Sequence, residues 1–386
     1  MEEGNEVNED IGKLISQCLD NPLIQHYFMK KRVMTYDEKE LQEKNFGRMI
    51  GYCVLFKESV GIEEYMDITS KEQQIQFIQS KIADRIGIPH SEIDERIEEV
   101  IEYAFENLVR DGYVFHAGNS NAIENNMKYG LLPSQSSLDE RNELMHIASI
   151  FGKYSNSNPL GWGILDIKNE KNGWFYNCNP QRMLYYADSP EWFGQLCGGS
   201  ICYGWGLVPE ENRHAYENRD YDACFLNITK LMEKNNMTED DRKEVLDFFD
   251  KCWNKFGDTK PYLALVPINS LKSDDELDEM KDFYLPSKNK DNVFFDKNYI
   301  FDDIIEGGCV ALDKNVCCNK FVSPDALSCV DLSPILPRFK ISDDSKQREI
   351  TIQDCLRKLN GLDIESLLQA QEILNQFPSK TNERGL

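Results

Sequence analysis

Gly112-Tyr113-Val114-Phe115-His116-Ala117-Gly118-Asn119, running on through Ile123 to Tyr129-Gly130-Leu131-Leu132-Pro133, decides how the rest of the chain is read. Tyr113, Val114 and Phe115 are aromatic and β-branched, the composition of a short buried strand. The strand runs straight into a histidine and then into small, turn-prone residues. Ser120 to Tyr129 carries Ile123 and Met127 at i and i+4, the spacing of a short amphipathic helix, and Gly130 supplies its stop. Strand, histidine, tight turn and helix in that order would set one imidazole and several backbone N–H groups at the mouth of a cleft.

Around this stretch lie 386 residues, enough for two or three cores, with hydrophobic (41%) and charged (28%) shares ordinary for a soluble globular protein. The formal net charge of −24 repels phosphate backbones and counts against nonspecific nucleic-acid binding. Lys30-Lys31-Arg32 is too short a basic cluster to reverse that. The twelve cysteines are scattered, without a C-x-x-C or a histidine at zinc spacing, so they read as small hydrophobes of a reducing compartment rather than metal ligands. The start, Met1-Glu2-Glu3-Gly4-Asn5-Glu6, is acidic and polar, unlike a secretory signal, and no apolar run reaches membrane-span length. A cytoplasmic protein without metal or membrane attachment is expected, and export by a signal-independent machine would leave no mark here.

Residues 1–110 read as a helical bundle domain. Asn8-Glu9-Asp10 opens a short helix with Ile11, Leu14, Ile15 and Cys18 on one face, and Ser70-Lys71-Glu72-Gln73 has the form of a capping box. Ser91 opens the clearest helix, with Ile93, Ile97, Val100, Ile101, Ala104, Phe105 and Leu108 as its stripe. The acids opposite, from Glu95 to Glu106, read as a solvated face. From Gly112 to about 340 short apolar runs alternate with Gly, Asn, Pro and Asp. Strands are expected at 113–116, 161–166, 183–187, 261–268, 308–312 and 328–332, with a helical insertion near 238–256 opened by Thr238. The pattern fits an α+β domain. Residues 341–386 return to helix.

Only His116 among the five histidines joins strand, turn and helix in a way that aims it at a cleft. His26 and His146 lie in apolar helical surroundings and read as structural. A second stretch, Arg182-Met183-Leu184-Tyr185-Tyr186-Ala187-Asp188-Ser189-Pro190-Glu191, pairs two tyrosines with a helix start. A third runs Glu306-Gly307-Gly308-Cys309-Val310 and on to Pro324-Asp325-Ala326-Leu327-Ser328-Cys329-Val330.

In this order the three stretches resemble the ADP-ribosyltransferase superfamily, in its His-Tyr-Glu branch of diphtheria-type toxins and poly(ADP-ribose) polymerases. His116, Ala117-Gly118, Ile123 and Gly130-Leu131 match the first motif of that family, although its usual His-Gly-Thr or His-Gly-Ser is His-Ala-Gly-Asn here. Leu184-Tyr185-Tyr186-Ala187-Asp188-Ser189 matches the second, and Glu306 with the late valine-rich run approximates the third. The resemblance covers roughly residues 111–335. It implies a split mixed β-sheet catalytic domain over 111–340, flanked by the helical N-terminal domain and the C-terminal helices.

It also implies NAD as co-substrate and no metal. Catalytic roles fall to Glu306, His116 and Tyr185, and NAD contacts to His116, Ala117, Gly118, Asn119, Tyr185 and Ser189. Breaking the nicotinamide–ribose bond builds an oxocarbenium-like cation, which a carboxylate stabilises. The departing nicotinamide is a flat cation that an aromatic face orients. Glu191 and Glu210 are alternative carboxylates. The acceptor implied is a protein or a small molecule. Water as acceptor would make an NAD glycohydrolase of the same fold, and a degenerate member would be a ligand-binding or interaction module. An RNA 2′-phosphotransferase relies on arginines around its histidine, and His116 to Pro133 has none.

Overall fold

A computed structural model describes residues 10–28, 36–131, 138–154, 160, 174–177, 180–187, 191–198, 208–216, 218–257, 259–271, 300–307, 315–318 and 321–336. The strands expected at 161–166 and 308–312, Ser189 and the helices expected over 341–386 lie outside the described residues.

The chain begins as helices. In α1 (Ile11–Asp20) the Asp10 side chain accepts from the Gly12 N–H, and Ile11, Leu14, Ile15, Cys18 and Leu19 are buried. After a single turn, α2 (Pro22–Gln25), comes α3 (Tyr36–Phe56), whose final turns from Met49 to Phe56 are apolar and buried all round. A helix buried on every side is the axis on which others pack. Around it lie α4 (Ile62–Asp67), α5 (Lys71–Ile86) and α6 (Ile97–Phe105). Ser70 caps α5 at the Gln73 N–H, and Gly87 at φ +72° ends it. The clearest expected helix starts later than its pattern suggests. His90–Glu92 forms a 3₁₀ turn without a side-chain cap, and α6 begins at Ile97 and widens into a π turn over Glu106–Arg110.

Strand β1 (Tyr113–Asn119) leads into α7 (Ser120–Tyr129) and, after α8 (Leu138–Tyr154), into β2 (Trp174–Asn177). The sheet is completed by β3 (Pro261–Pro267), β4 (Asn315–Cys318) and β5 (Ser328–Asp331), in the order β4-β2-β1-β3-β5. The class is α+β. Every described pairing is antiparallel, where the expected sheet was mixed.

The segment expected as a strand over 183–187 is instead a helical turn, α9 (Met183–Tyr186). Pro180–Arg182 forms a 3₁₀ turn ahead of it, and the Ala187 N–H donates to the Met183 carbonyl at 2.9 Å. Met183, Leu184 and Ala187 are buried, and positions one, three and four apart share a face on a helix.

One apolar cluster joins Ile15, Phe46, Tyr52, Ile82 and Val100 to Val114, Phe115, Leu263, Leu265 and Val330. The expected boundary at 110/111 therefore falls inside a continuous core. An antiparallel sheet needs cover on at least one face, and α1 supplies part of it, with Ser328 Oγ donating to Asp10 Oδ1 at 2.7 Å. A second cluster contains Leu144, Phe151, Phe193, Ile228, Val245 and Phe249. These belong to α8, α10 (Glu191–Leu196), α11 (Tyr221–Lys234) and α12 (Glu239–Phe256). The expected insertion near 238–256 is α12, capped by Thr238 at the Asp241 N–H. Two short helices, α13 (Ile268–Leu271) and α14 (Ile300–Ile305), follow β3. Among the described residues no helix is long and apolar enough to cross a membrane.

Candidate active site

β1 presents two faces. Alternation puts Val114, His116 and Gly118 on one side and Tyr113, Phe115, Ala117 and Asn119 on the other. Val114, Phe115 and Ala117 all contribute to the first core, and the half-buried His116 shares the Val114 face. Register sets His116 opposite Ala264 and Gly118 opposite Tyr262, and on the far edge Ala264 meets Cys329.

The end of β1 is held by its own side chains. Asn119 Oδ1 accepts from the N–H groups of Asn121 and Ala122, both at 3.1 Å, which starts α7. The Ser120 N–H donates to the Lys260 carbonyl at 2.9 Å, tying α7 to the head of β3. Asn119, expected among the NAD contacts, thus has its side-chain oxygen committed to a helix cap. Ala117 packs against the core, leaving its backbone paired with Leu263. A side chain at Gly118 would meet only ordinary contacts, Ile123 Cδ1 at 3.8 Å and Ala122 Cβ at 3.9 Å.

α7 lies over the His116 face. Its Met127 accepts a hydrogen bond from the Cys329 thiol at 3.3 Å, and burial pushes that thiol up to about 11. Tyr262 is also raised, chiefly by burial and then by the charges of Asp331, Cys329 and Glu124. Tyr262 and Cys329 thus share the face that carries His116. Sequence reasoning missed both, because alternation along 261–267 is legible while the choice of face needs the strand register.

Tyr185 lies on α9, which packs against β1. The sheet is also tied to this segment by a hydrogen bond, from the Tyr262 N–H to the Ala187 carbonyl at 3.3 Å. The first two motifs are therefore neighbours. Glu306 sits elsewhere, in the turn after α14, and is 62% exposed. Lys71 of α5 donates to Glu306 Oε1 at 3.2 Å and pairs with Asp302 Oδ1 at 3.0 Å. Those two carboxylates, Asp302 foremost, raise the Lys71 ammonium above its ordinary range.

Gly307, at φ +95°, carries the connection onward. A Cβ there would lie 2.7 Å from Gln181 Oε1, and one on Gly47 would lie 1.6 Å from the Gly307 carbonyl oxygen. Gln181 belongs to the turn that leads into α9. Residues 181–187 therefore run from the turn holding Glu306 to the strand holding His116, while the Glu306 carboxylate itself is paired with Lys71. Of the alternative carboxylates, Glu210 is an exposed partner of Arg213 at 3.0 Å, and Glu191 opens α10. His146, expected in apolar surroundings, is instead on the surface, bonded to Glu244 of α12 at 2.6 Å.

The described fold defines an α+β protein with a five-stranded sheet. Compared with protein-family models, curated proteins and solved structures, the chain matches none. Among the described residues no group of His, Cys, Asp or Glu is arranged to hold a metal ion.

Proposed function

We propose that this chain is an NAD-dependent ADP-ribosyltransferase, cleaving the nicotinamide–ribose bond and passing ADP-ribose to a protein or small-molecule acceptor. The observation that carries the reading is the docking of α9, with Tyr185, on β1, with His116, alongside the Tyr262–Ala187 hydrogen bond. In this reading the half-buried imidazole of His116 fixes a ribose hydroxyl. Tyr185 gives the departing nicotinamide an aromatic face. Glu306, which is paired with Lys71 apart from His116 and Tyr185, would have to be brought to them to stabilise the positive charge that grows on the ribose as the bond breaks. Its exposed pairing with Lys71 is worth little in water, so exchange of that partner for a ribose hydroxyl costs little.

The test is incubation of the purified protein with NAD labelled on the adenylate side and candidate acceptors, reading free nicotinamide and bound label separately. Transfer gives both. The open exposure of Glu306 favours a second reading, in which water is the acceptor and nicotinamide is released without bound label. Neither signal leaves a ligand-binding module. Glu306→Gln is expected to lower nicotinamide release by at least about a hundredfold, the scale of losing one charge-stabilising group. Undiminished release in that variant would remove Glu306 from the site.

A further inference from the structure

α1 and α3 meet across the bundle through two cysteines. Cys18 and Cys53 are both buried, and their sulfur atoms lie 3.7 Å apart as a thiol–thiol hydrogen bond. A disulfide needs a sulfur separation of about 2.05 Å, so closure asks for a movement of less than ~2 Å. We propose that Cys18 and Cys53 are a disulfide-forming pair, oxidised by low-molecular-weight disulfides to a bond that clasps α1 onto α3.

The reaction balances as thiol–disulfide exchange. The Cys18 thiol loses its proton to solvent and attacks one sulfur of the reagent disulfide, expelling a thiolate that is then protonated. The Cys53 thiol, deprotonated in turn, attacks the Cys18 sulfur of the mixed disulfide and expels the second thiolate. Two protein thiols are oxidised by two electrons in all, and one reagent disulfide is reduced to two thiols.

Chemistry favours this pair over its neighbours. The hydrogen bond from Cys53 holds the Cys18 thiol below its ordinary range against the opposing effect of burial. Cys197, deeply buried beside Cys224, is pushed well up, and Cys329 is also raised by burial. Thiolate is the attacking species. Burial of both sulfurs makes exchange depend on opening, and α1 is the element suited to open. It has ten residues, few for a helix to persist unaided. Asp10 fastens it at both points named above, capping its first turn and accepting from Ser328.

The full chain is treated with oxidised glutathione, quenched in acid, alkylated and digested with trypsin without reduction. The expected product joins peptide 14–30, which holds Cys18, to peptide 49–57, which holds Cys53, with the loss of two hydrogens. Asp10→Ala, which loosens α1, is expected to speed formation of that product several-fold, and the oxidised protein is expected to melt higher than the reduced one. Recovery of Cys18 and Cys53 as separately alkylated peptides, or as separate glutathione adducts, would overturn the proposal. Because the mapping is made on the unaltered chain, its outcome does not depend on whether Cys18→Ser or Cys53→Ser folds.

Discussion

Gly130 ends α7 at φ +80°, and a Cβ there would lie 2.2 Å from the Val322 carbonyl oxygen. Leu131 and Val322 exchange backbone hydrogen bonds at 2.9 and 3.1 Å, so the close approach is fixed by main chain on both sides. Gly130→Ala is therefore expected to destabilise the protein by at least about 2 kcal/mol, through left-handed strain and overpacking together. Urea unfolding measures this, and a loss below about 0.5 kcal/mol would contradict the geometry. Glu58 makes a pH-dependent prediction. Partial burial by itself would raise its carboxyl, but hydrogen bonds and charge from Lys81 and Arg85, each at 2.8 Å, outweigh it and hold it below the ordinary value. A depressed carboxylate stabilises the fold above its unfolded pKa, about 4.3, and that contribution is lost as pH falls through the folded value. Glu58→Gln should flatten stability below about pH 4.3 relative to the parent chain. An unchanged acid limb in denaturant titrations would exclude Glu58 as a contributor.

At the scale of elements, the turn from β1 into α7 rests on Asn119, whose side-chain oxygen satisfies two N–H groups of the first helical turn. Asn119→Ala is expected to cost about 1 kcal/mol, and Asn119→Asp much less, because only the second can still cap. Equal losses by thermal unfolding would show that the cap is not what Asn119 supplies. The same turn shows what local pattern can and cannot reveal. Strand, helix and glycine stop around His116 form as expected, because each is specified by residues next to one another. The turn expected right after His116 does not form: pairing with β3 carries the strand on through Ala117, Gly118 and Asn119, which caps α7 directly. The Met183–Tyr186 segment differs. Its two tyrosines suggest a strand, while burial of Met183, Leu184 and Ala187 against the sheet selects a helical turn. Tertiary contacts override a local preference that weak.

At the scale of the molecule, two apolar clusters hold most of the burial among the described residues, and the sequence crosses between them. The first takes residues from α1 to β5, α9 among them, and the second takes α8, α10, α11 and α12. Phe249, fully buried in the second cluster, packs against Tyr221, Phe225 and Trp253. Phe249→Ala is expected to cost about 3–5 kcal/mol. Hydrogen exchange should then speed most in α8, α11 and α12, with the β1 and β3 amides retaining protection. Phe115→Ala should do the reverse. Loss of protection spread evenly by either variant would mean that the clusters unfold as one unit.

The sequence by itself determined the helical character of the first hundred residues, the strands at 113 and 261, the capped helix at 239 and the three candidate stretches. Each depends on periodicity, capping or turn chemistry acting within a few residues. Tertiary structure alone decided that the N-terminal helices and the sheet share one core, since neither pattern names the partner of its apolar face. It also decided that His116 shares a face with Tyr262 and Cys329, through registers that join strands far apart in the chain. The position of Glu306 is of the same kind. Lys71 and Gln181 approach that turn from distant parts of the chain, and long-range pairing of this sort leaves no local periodicity to read.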